Sequence, residues 1–130
     1  MSSMQHRARA MTAYQTATET VSPATAIVML FDGAIKSMAR AGQAIAEGRI
    51  EDRWTLVNKA HAIVHGLQCQ LDFAAGGEIA RLLDDYYGYL LGRMTQANIK
   101  NDPAICDEVV DRLREMRASW AEIAHGATSG

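Results

Sequence analysis

Residues 22–48 read SPATAIVMLFDGAIKSMARAGQAIAEG, and the spacing within this stretch decides the fold class. Ser22 supplies a capping hydroxyl. Pro23 suits the first helical position, where its missing N–H would have had no intrahelical partner, and Gly48 closes the segment. Between these bounds Ile27, Leu30, Phe31, Ala34, Met38, Ala41 and Ile45 recur at steps of three or four, which gathers their side chains on one helical face. Val28, Ile35 and Ala39 form a second apolar strip beside the first.

Three further segments carry the same period. From Ile50 to about Ala75 the stripe is Ile50, Trp54, Val57, His61, Val64, Gln68 and Leu71, flanked by Leu56, Ala60, Ile63, Leu67 and Ala74; the pair Gly76-Gly77 is expected to end this helix. From Glu78 to about Ile99 come Ile79, Leu83, Tyr86, Leu90, Met94 and Ala97. Gly88 and Gly92 interrupt this third helix at roughly 1 kcal/mol each, and small residues four apart point first to a tight seam inside a bundle, with a partner groove as the other reading. After the break Asn98-Ile99-Lys100-Asn101-Asp102-Pro103, with Asp102 as cap, the fourth stripe is Ile105, Val109, Leu113, Met116, Trp120 and Ile123. Its opposite side should be solvated, with Glu108 reaching Arg112 and Asp111 reaching Arg114.

Four helices of about 22–27 residues joined by short loops leave consecutive helices antiparallel neighbours. The expected fold is all-α, an antiparallel up-down four-helix bundle over residues 22–125. Residues 1–21 precede it as a short helix near Gln5 to Gln15 or a mobile segment, and residues 126–130 follow as a disordered tail.

Composition agrees. The chain has 130 residues, 48% apolar and 22% charged, with only 2 Pro. At that length one domain buries roughly two-thirds of its unfolded surface and needs no disulfide or metal to hold a core. A net charge of -2 argues against nucleic-acid binding, and the one basic cluster, His6, Arg7 and Arg9, reads as a solvated tail. No apolar run is long enough to span a bilayer, and the first 20 residues lack a secretory signal, so membrane insertion is not expected and the expected location is the cytosol. Cys69 and Cys106 then read as free thiols.

No catalytic site emerges. His61, His65 and Cys69 follow one another at i, i+4 and i+8, but the outer two lie about 12 Å apart along a helix axis, so one zinc ion could take at most two of them. Nothing identifies further ligands, and the plain reading puts His61 partly inside and His65 on the surface. Glu122 and His125 supply only one of the two Glu-x-x-His pairs that a di-iron bundle requires. Asp84-Asp85 and Tyr86-Tyr87 point about 100° apart and cannot converge. No phosphate loop or nucleophile elbow is present. The chain is not expected to be an enzyme or to need a cofactor or metal.

What is left over is apolar surface. A bundle helix needs one stripe about 100° wide, and the first two helices carry more. Either they are the more buried pair, or the excess forms a groove for a partner's amphipathic or extended segment.

The ordered set Tyr14-Gln15, Ser22-Pro23, Leu30-Phe31-Asp32-Gly33-Ala34-Ile35-Lys36, Asn58-Lys59-Ala60, Leu67 to Leu71, Gly76-Gly77-Glu78-Ile79-Ala80, Ala97-Asn98-Ile99-Lys100-Asn101-Asp102-Pro103 and Trp120 resembles the flagellar export chaperone family FliS. The resemblance spans about Tyr14 to Ile123. Ala24-Thr25 stands where that family usually has acidic residues, and Tyr86-Tyr87-Gly88-Tyr89 replaces its usual Leu-Tyr-Asp-Tyr. The resemblance implies a cytosolic chaperone that binds the disordered C-terminal segment of flagellin, prevents premature polymerisation and assists delivery to the flagellar type III export gate. On that basis the candidate partner-binding residues are Tyr14, Ile27, Phe31, Leu67, Leu71, Asn98, Ile99 and Asp102, with strips of the first two helices as groove and the Asn98–Asp102 region as rim. Tyr14, on a segment that would lie over the groove when no client is present, serves either to cap the bundle or to touch flagellin. Phe31 reads first as core, and Asn98 and Asp102 either shape the helix break or meet the partner. The competing function is a self-associating structural or regulatory bundle, a homodimer pairing its surplus strips with a copy of itself.

Overall fold

The computed structural model describes residues 22–129. Within them the chain forms four helices: α1 (Pro23–Ala46), α2 (Ile50–Cys69), α3 (Phe73–Lys100) and α4 (Pro103–Ser129). The expected all-α bundle is present. Cross-helix contacts give its direction: Asp32 of α1 meets Arg117 of α4, Gln68 of α2 reaches Asp84 of α3, and Arg93 of α3 meets Glu108 of α4, so neighbours run antiparallel.

Local chemistry sets the helix ends. Ser22 Oγ accepts from the Thr25 amide at 3.1 Å, as its position before Pro23 led one to expect. At the far end of α1, Gly48 takes a positive φ of 73°, and the amides of Gly48 and Arg49 bond back to the carbonyls of Ile45 and Ala44. This is the paired closure that satisfies two orphan carbonyls, and only glycine enters that conformation without strain. Asp102 Oδ1 accepts from the Ala104 amide at 2.9 Å and starts α4.

The second boundary differs from expectation. α2 ends at Cys69, not at the glycine pair, because Asp72 accepts from the Ala75 amide at 3.0 Å and begins a new helix at Phe73. Gly77, with φ 52° and ψ -125°, then kinks α3 after its first turn. The glycine pair therefore bends a helix that a capping aspartate has already started. At the other terminus α4 continues as helix to Ser129, past the expected end of the bundle at residue 125.

The core is a stack of enclosed apolar side chains: Phe31 and Met38 from α1, Val57 and Val64 from α2, Tyr87, Leu90 and Met94 from α3, Val109 and Leu113 from α4. α1 packs closely against both α2 and α4, whereas the α3–α4 contact is the sparsest of the four. At Gly42 an added Cβ would stand 3.3 Å from the Cys106 Cβ, so the glycine lets α1 and α4 approach. Burial among these helices pushes the Cys106 thiol up to about 11.

Gly88 and Gly92 are the exception. Both are exposed, with no atom within 4 Å of a Cβ at Gly92 and only the Gln68 side chain near Gly88. The tight seam expected there does not exist.

The sparse α3–α4 contact is tied by polar groups. Glu108 does not pair along its own helix with Arg112. It accepts from Arg93 Nη2 at 2.9 Å, from Arg93 Nε at 3.1 Å and from the Tyr89 hydroxyl. The tyrosine bond first and the arginine second hold its carboxyl below the usual carboxylate range. A carboxyl depressed by folding contributes stability above its unfolded pKa, about 4.3, and loses it as pH falls through the lower folded value. Glu108→Gln should therefore be less stable than the parent at pH 7 by a small, salt-sensitive amount. The gap should close toward pH 3, as read by urea melts at each pH.

Candidate functional site

The apolar stripes run longer than the closed core. At the centre of the bundle their residues are enclosed, but toward both ends stripe residues such as Ile50, Trp54, Ile79 and Ile123 emerge into solvent, Trp54 57% and Ile79 69% exposed. Off the stripes, Leu82 (67%), Ile99 (69%), Met29 and Phe73 are exposed as well. A side chain of this size gains about 1.5–3 kcal/mol on full burial. The surface thus holds unused binding energy in two places.

The first lies between α3 and α4, the most sparsely packed pair, in the half of the bundle that contains the helix kink. An open groove of ≈ 560 Å³ is lined by Ile79, Leu82, Leu83 and Tyr86 from α3 and by Glu115, Met116 and Ser119 from α4. Its walls are mostly apolar, with one carboxylate at the edge. Partial desolvation raises the Tyr86 hydroxyl pKa, while nearby Arg112 pulls it down. The hydroxyl is therefore a neutral donor at physiological pH.

The second lies at the opposite end, where the start of α2 stands beside the end of α3. A cleft of ≈ 460 Å³ is lined by Ile50, Glu51, Arg53, Trp54 and Thr55. Arg53 Nη1 donates to Asn101 Oδ1 at 2.7 Å across the helix pair, and Asn101 holds a left-handed backbone (φ 52°) that ends α3. Arg53 Nε and Asn98 Oδ1 are enclosed beneath, each without a hydrogen-bond partner. One unpaired donor and one unpaired acceptor cost about 1–3 kcal/mol each, which leaves this corner less well satisfied than the core. A third cleft of ≈ 380 Å³ between α1 and α2 carries charged and polar side chains, Arg40, Gln43, Arg49 and Asp52, beside Leu56.

The candidate partner residues separate into three groups. Phe31 and Leu67 are buried in the core, so neither offers surface to a partner in this arrangement. Ile27 and Leu71 are half-buried at one end, packed against the core margin. Asn98, Ile99 and Asp102 lie at the other end, roughly 35 Å away along the bundle at 1.5 Å per residue. Among these, Ile99 is exposed, Asn98 is half-buried, and Asp102 caps α4. Tyr14 lies outside the described residues. The surplus strips of α1 and α2 are largely spent inside, since Ile35, Leu56 and Ile63 pack against the core. The exposed apolar surface belongs mainly to α3 and to the start of α2.

Sequence reasoning missed Trp54, Ile79 and Leu82 as surface residues. Two of them sit on stripes and were indistinguishable from core by period. Leu82 stands off its stripe, and that was the available signal.

Among the described residues no helix is long and apolar enough to cross a membrane, and no three metal-ligating side chains converge. The family described as flagellar protein FliS matches residues 4–127. The flagellar secretion chaperone FliS of Salmonella typhimurium is 34% identical over 123 residues, which is 94% of this chain and 91% of the relative. That of Vibrio cholerae is 35% identical over 102 residues, 78% of this chain and 75% of the relative, and that of Bacillus subtilis 31% over 112 residues, 85% and 83%. These relatives bear the names of chaperones, not of enzymes. With a family match over nearly its whole length and relatives above 30% identity across most of both chains, this chain belongs to the FliS family.

Proposed function

We propose that this protein is a cytosolic export chaperone whose client is the disordered C-terminal segment of flagellin, which it keeps from polymerising and presents to the flagellar type III export apparatus. The observation that carries this reading is the set of large apolar side chains left outside a complete core, grouped at the α3–α4 groove and at the α2–α3 corner. Two apolar sites at opposite ends of a bundle suit an extended client that lays short amphipathic stretches into each one. A compact partner would cover one site only.

Such a client orders as it binds. Its ordering entropy subtracts from the contact energy, so a long interface remains releasable. Within the candidate set, Ile99 and Asn98 belong to the corner, Ile27 and Leu71 lie at the margin of the kinked end, and Phe31 and Leu67 belong to the core, one helical turn from Ile27 and Leu71.

Titration calorimetry with a flagellin C-terminal peptide tests the proposal. A 1:1 complex with micromolar or tighter affinity is expected; no heat at micromolar concentrations rejects this client. Sedimentation of the free chain separates the proposal from self-association. A dimer that the peptide does not dissociate would favour the self-pairing bundle.

A further inference from the structure

The α3–α4 groove is apolar along its floor and acidic along its edges. Ile79, Leu82 and Tyr86 on α3 and Met116 and Ser119 on α4 line it. Glu78 stands four residues before Leu82 and Asp85 three after it, and Glu122 stands three after Ser119, so all three share the groove side of their helices. Each is exposed, and none pairs with another described residue. Glu115, also at the edge, lies 3.6 Å from Arg112, so that guanidinium is already engaged. Arg81 and Arg114 each precede a lining residue by one position and point about 100° away from it. The edges therefore carry three carboxylates to which the chain supplies no cation.

The walls also select a backbone. Two helices offer a guest neither free N–H nor free C=O groups, so an extended segment laid between them would bury its own unpaired, whereas a helix satisfies its own. Ile79 to Tyr86 covers about 10 Å of the helix axis, which matches about two turns of a third helix. The apolar stripe of such a helix fills the floor, and the side chains beside that stripe meet the carboxylates. Lysine or arginine there is attracted, and aspartate or glutamate is repelled. We propose that the α3–α4 groove takes an amphipathic helix of the client whose apolar stripe is flanked by lysine or arginine. The corner cleft sets Glu51 beside Arg53 and has no such bias, so charge assigns the basic helix of the client to the kinked end. This inference rests on the reading that the protein carries a client.

Two designed helical peptides with the same leucine stripe, flanked by lysine in one and by glutamate in the other, test it on the full chain by fluorescence anisotropy. The lysine peptide should bind about tenfold tighter at low salt, a preference that a few exposed ion pairs supply together. The preference should fade in ~1 M salt, where the screening length is about 3 Å. Joint replacement of Glu78→Lys, Asp85→Lys and Glu122→Lys should reverse it. Joint replacement of Lys36→Glu and Arg40→Glu, on the α1–α2 side, should leave it in place, with circular dichroism confirming that both variants are helical. Ile79→Asp with Leu82→Asp should lose the lysine peptide. Equal affinity for the two peptides overturns the proposal, as does a preference that survives the triple replacement or binding that survives the aspartates. A free chain that sediments as a dimer until the aspartates are introduced also overturns it, because a second copy would then be the occupant. The flagellin C-terminal peptide separates this inference from the reading beneath it. If that peptide binds the parent and the triple variant equally, the inference falls and the chaperone stands. If it does not bind while the lysine preference holds, the inference stands and flagellin is not the client.

Discussion

Replacing Phe31 with alanine is expected to lower the stability of the fold by about 3–5 kcal/mol, the usual cost of deleting an enclosed aromatic side chain and leaving its cavity behind. Phe31 is fully buried and sits in one contiguous core with Ala34, Met38, Val64 and Leu113. Rigid helices on all sides cannot collapse into the space. Domains of this size hold about 5–15 kcal/mol in all, so the variant should melt well below the parent. Phe31→Leu, which keeps most of the volume, should cost less than about 1.5 kcal/mol. Leu30, its neighbour in sequence, points outward, and Leu30→Ala should stay within roughly 1 kcal/mol. Urea unfolding monitored by circular dichroism reads all three. A Phe31→Ala variant that keeps parental stability but loses the client would return Phe31 to the groove.

The double replacement Ile79→Asp and Leu82→Asp should act in the opposite way. Both side chains are more than half exposed, so stability should change by no more than about 0.5 kcal/mol per site. Affinity for the flagellin peptide should fall by about 2–4 kcal/mol, the range of interface hot spots, which is roughly 30- to 700-fold in Kd. Two carboxylates in an apolar groove would have to lose water without gaining a partner when the client binds. Trp54→Ala at the other end should give a comparable loss with equally little effect on folding. Its emission should also shift on binding in the parent. A client that spans both ends is sensitive to both changes. If only one of them weakens binding, the client occupies only that end.

These two experiments turn on a distinction that periodicity does not contain. Ile79 and Leu90 share one stripe of α3 at helical spacing, yet Ile79 is mostly in solvent and Leu90 is fully enclosed. The same holds along α2 for Trp54 and Val64. A three-four repeat reports which side of a helix faces the bundle. How far along that side the neighbouring helix stays in contact depends on where the neighbour diverges. Along α3 the kink at Gly77 lies next to exposed Ile79, and the polar tie through Glu108, Arg93 and Tyr89 lies beside enclosed Leu90. Gly88 and Gly92 teach the same lesson in reverse. Small residues four apart permit close approach, but α3 turns that face outward, and the tight crossing is at Gly42 instead.

The sequence alone determined the helical class, the number of helices in the bundle, three of their four starts and the central core layers. These follow from local bonds such as the Ser22 and Asp102 caps and from a period that any neighbour must satisfy. It also carried the motifs by which the family was first seen. The tertiary structure decided where the stripes stop being core, that the second helix yields to a new one at Asp72, and that Phe31 and Leu67 lie inside while Ile79, Leu82, Trp54 and Ile99 lie outside. Those outcomes depend on the angles and distances between helices, which arise from the summed packing of residues far apart in the chain and are not encoded in any one segment.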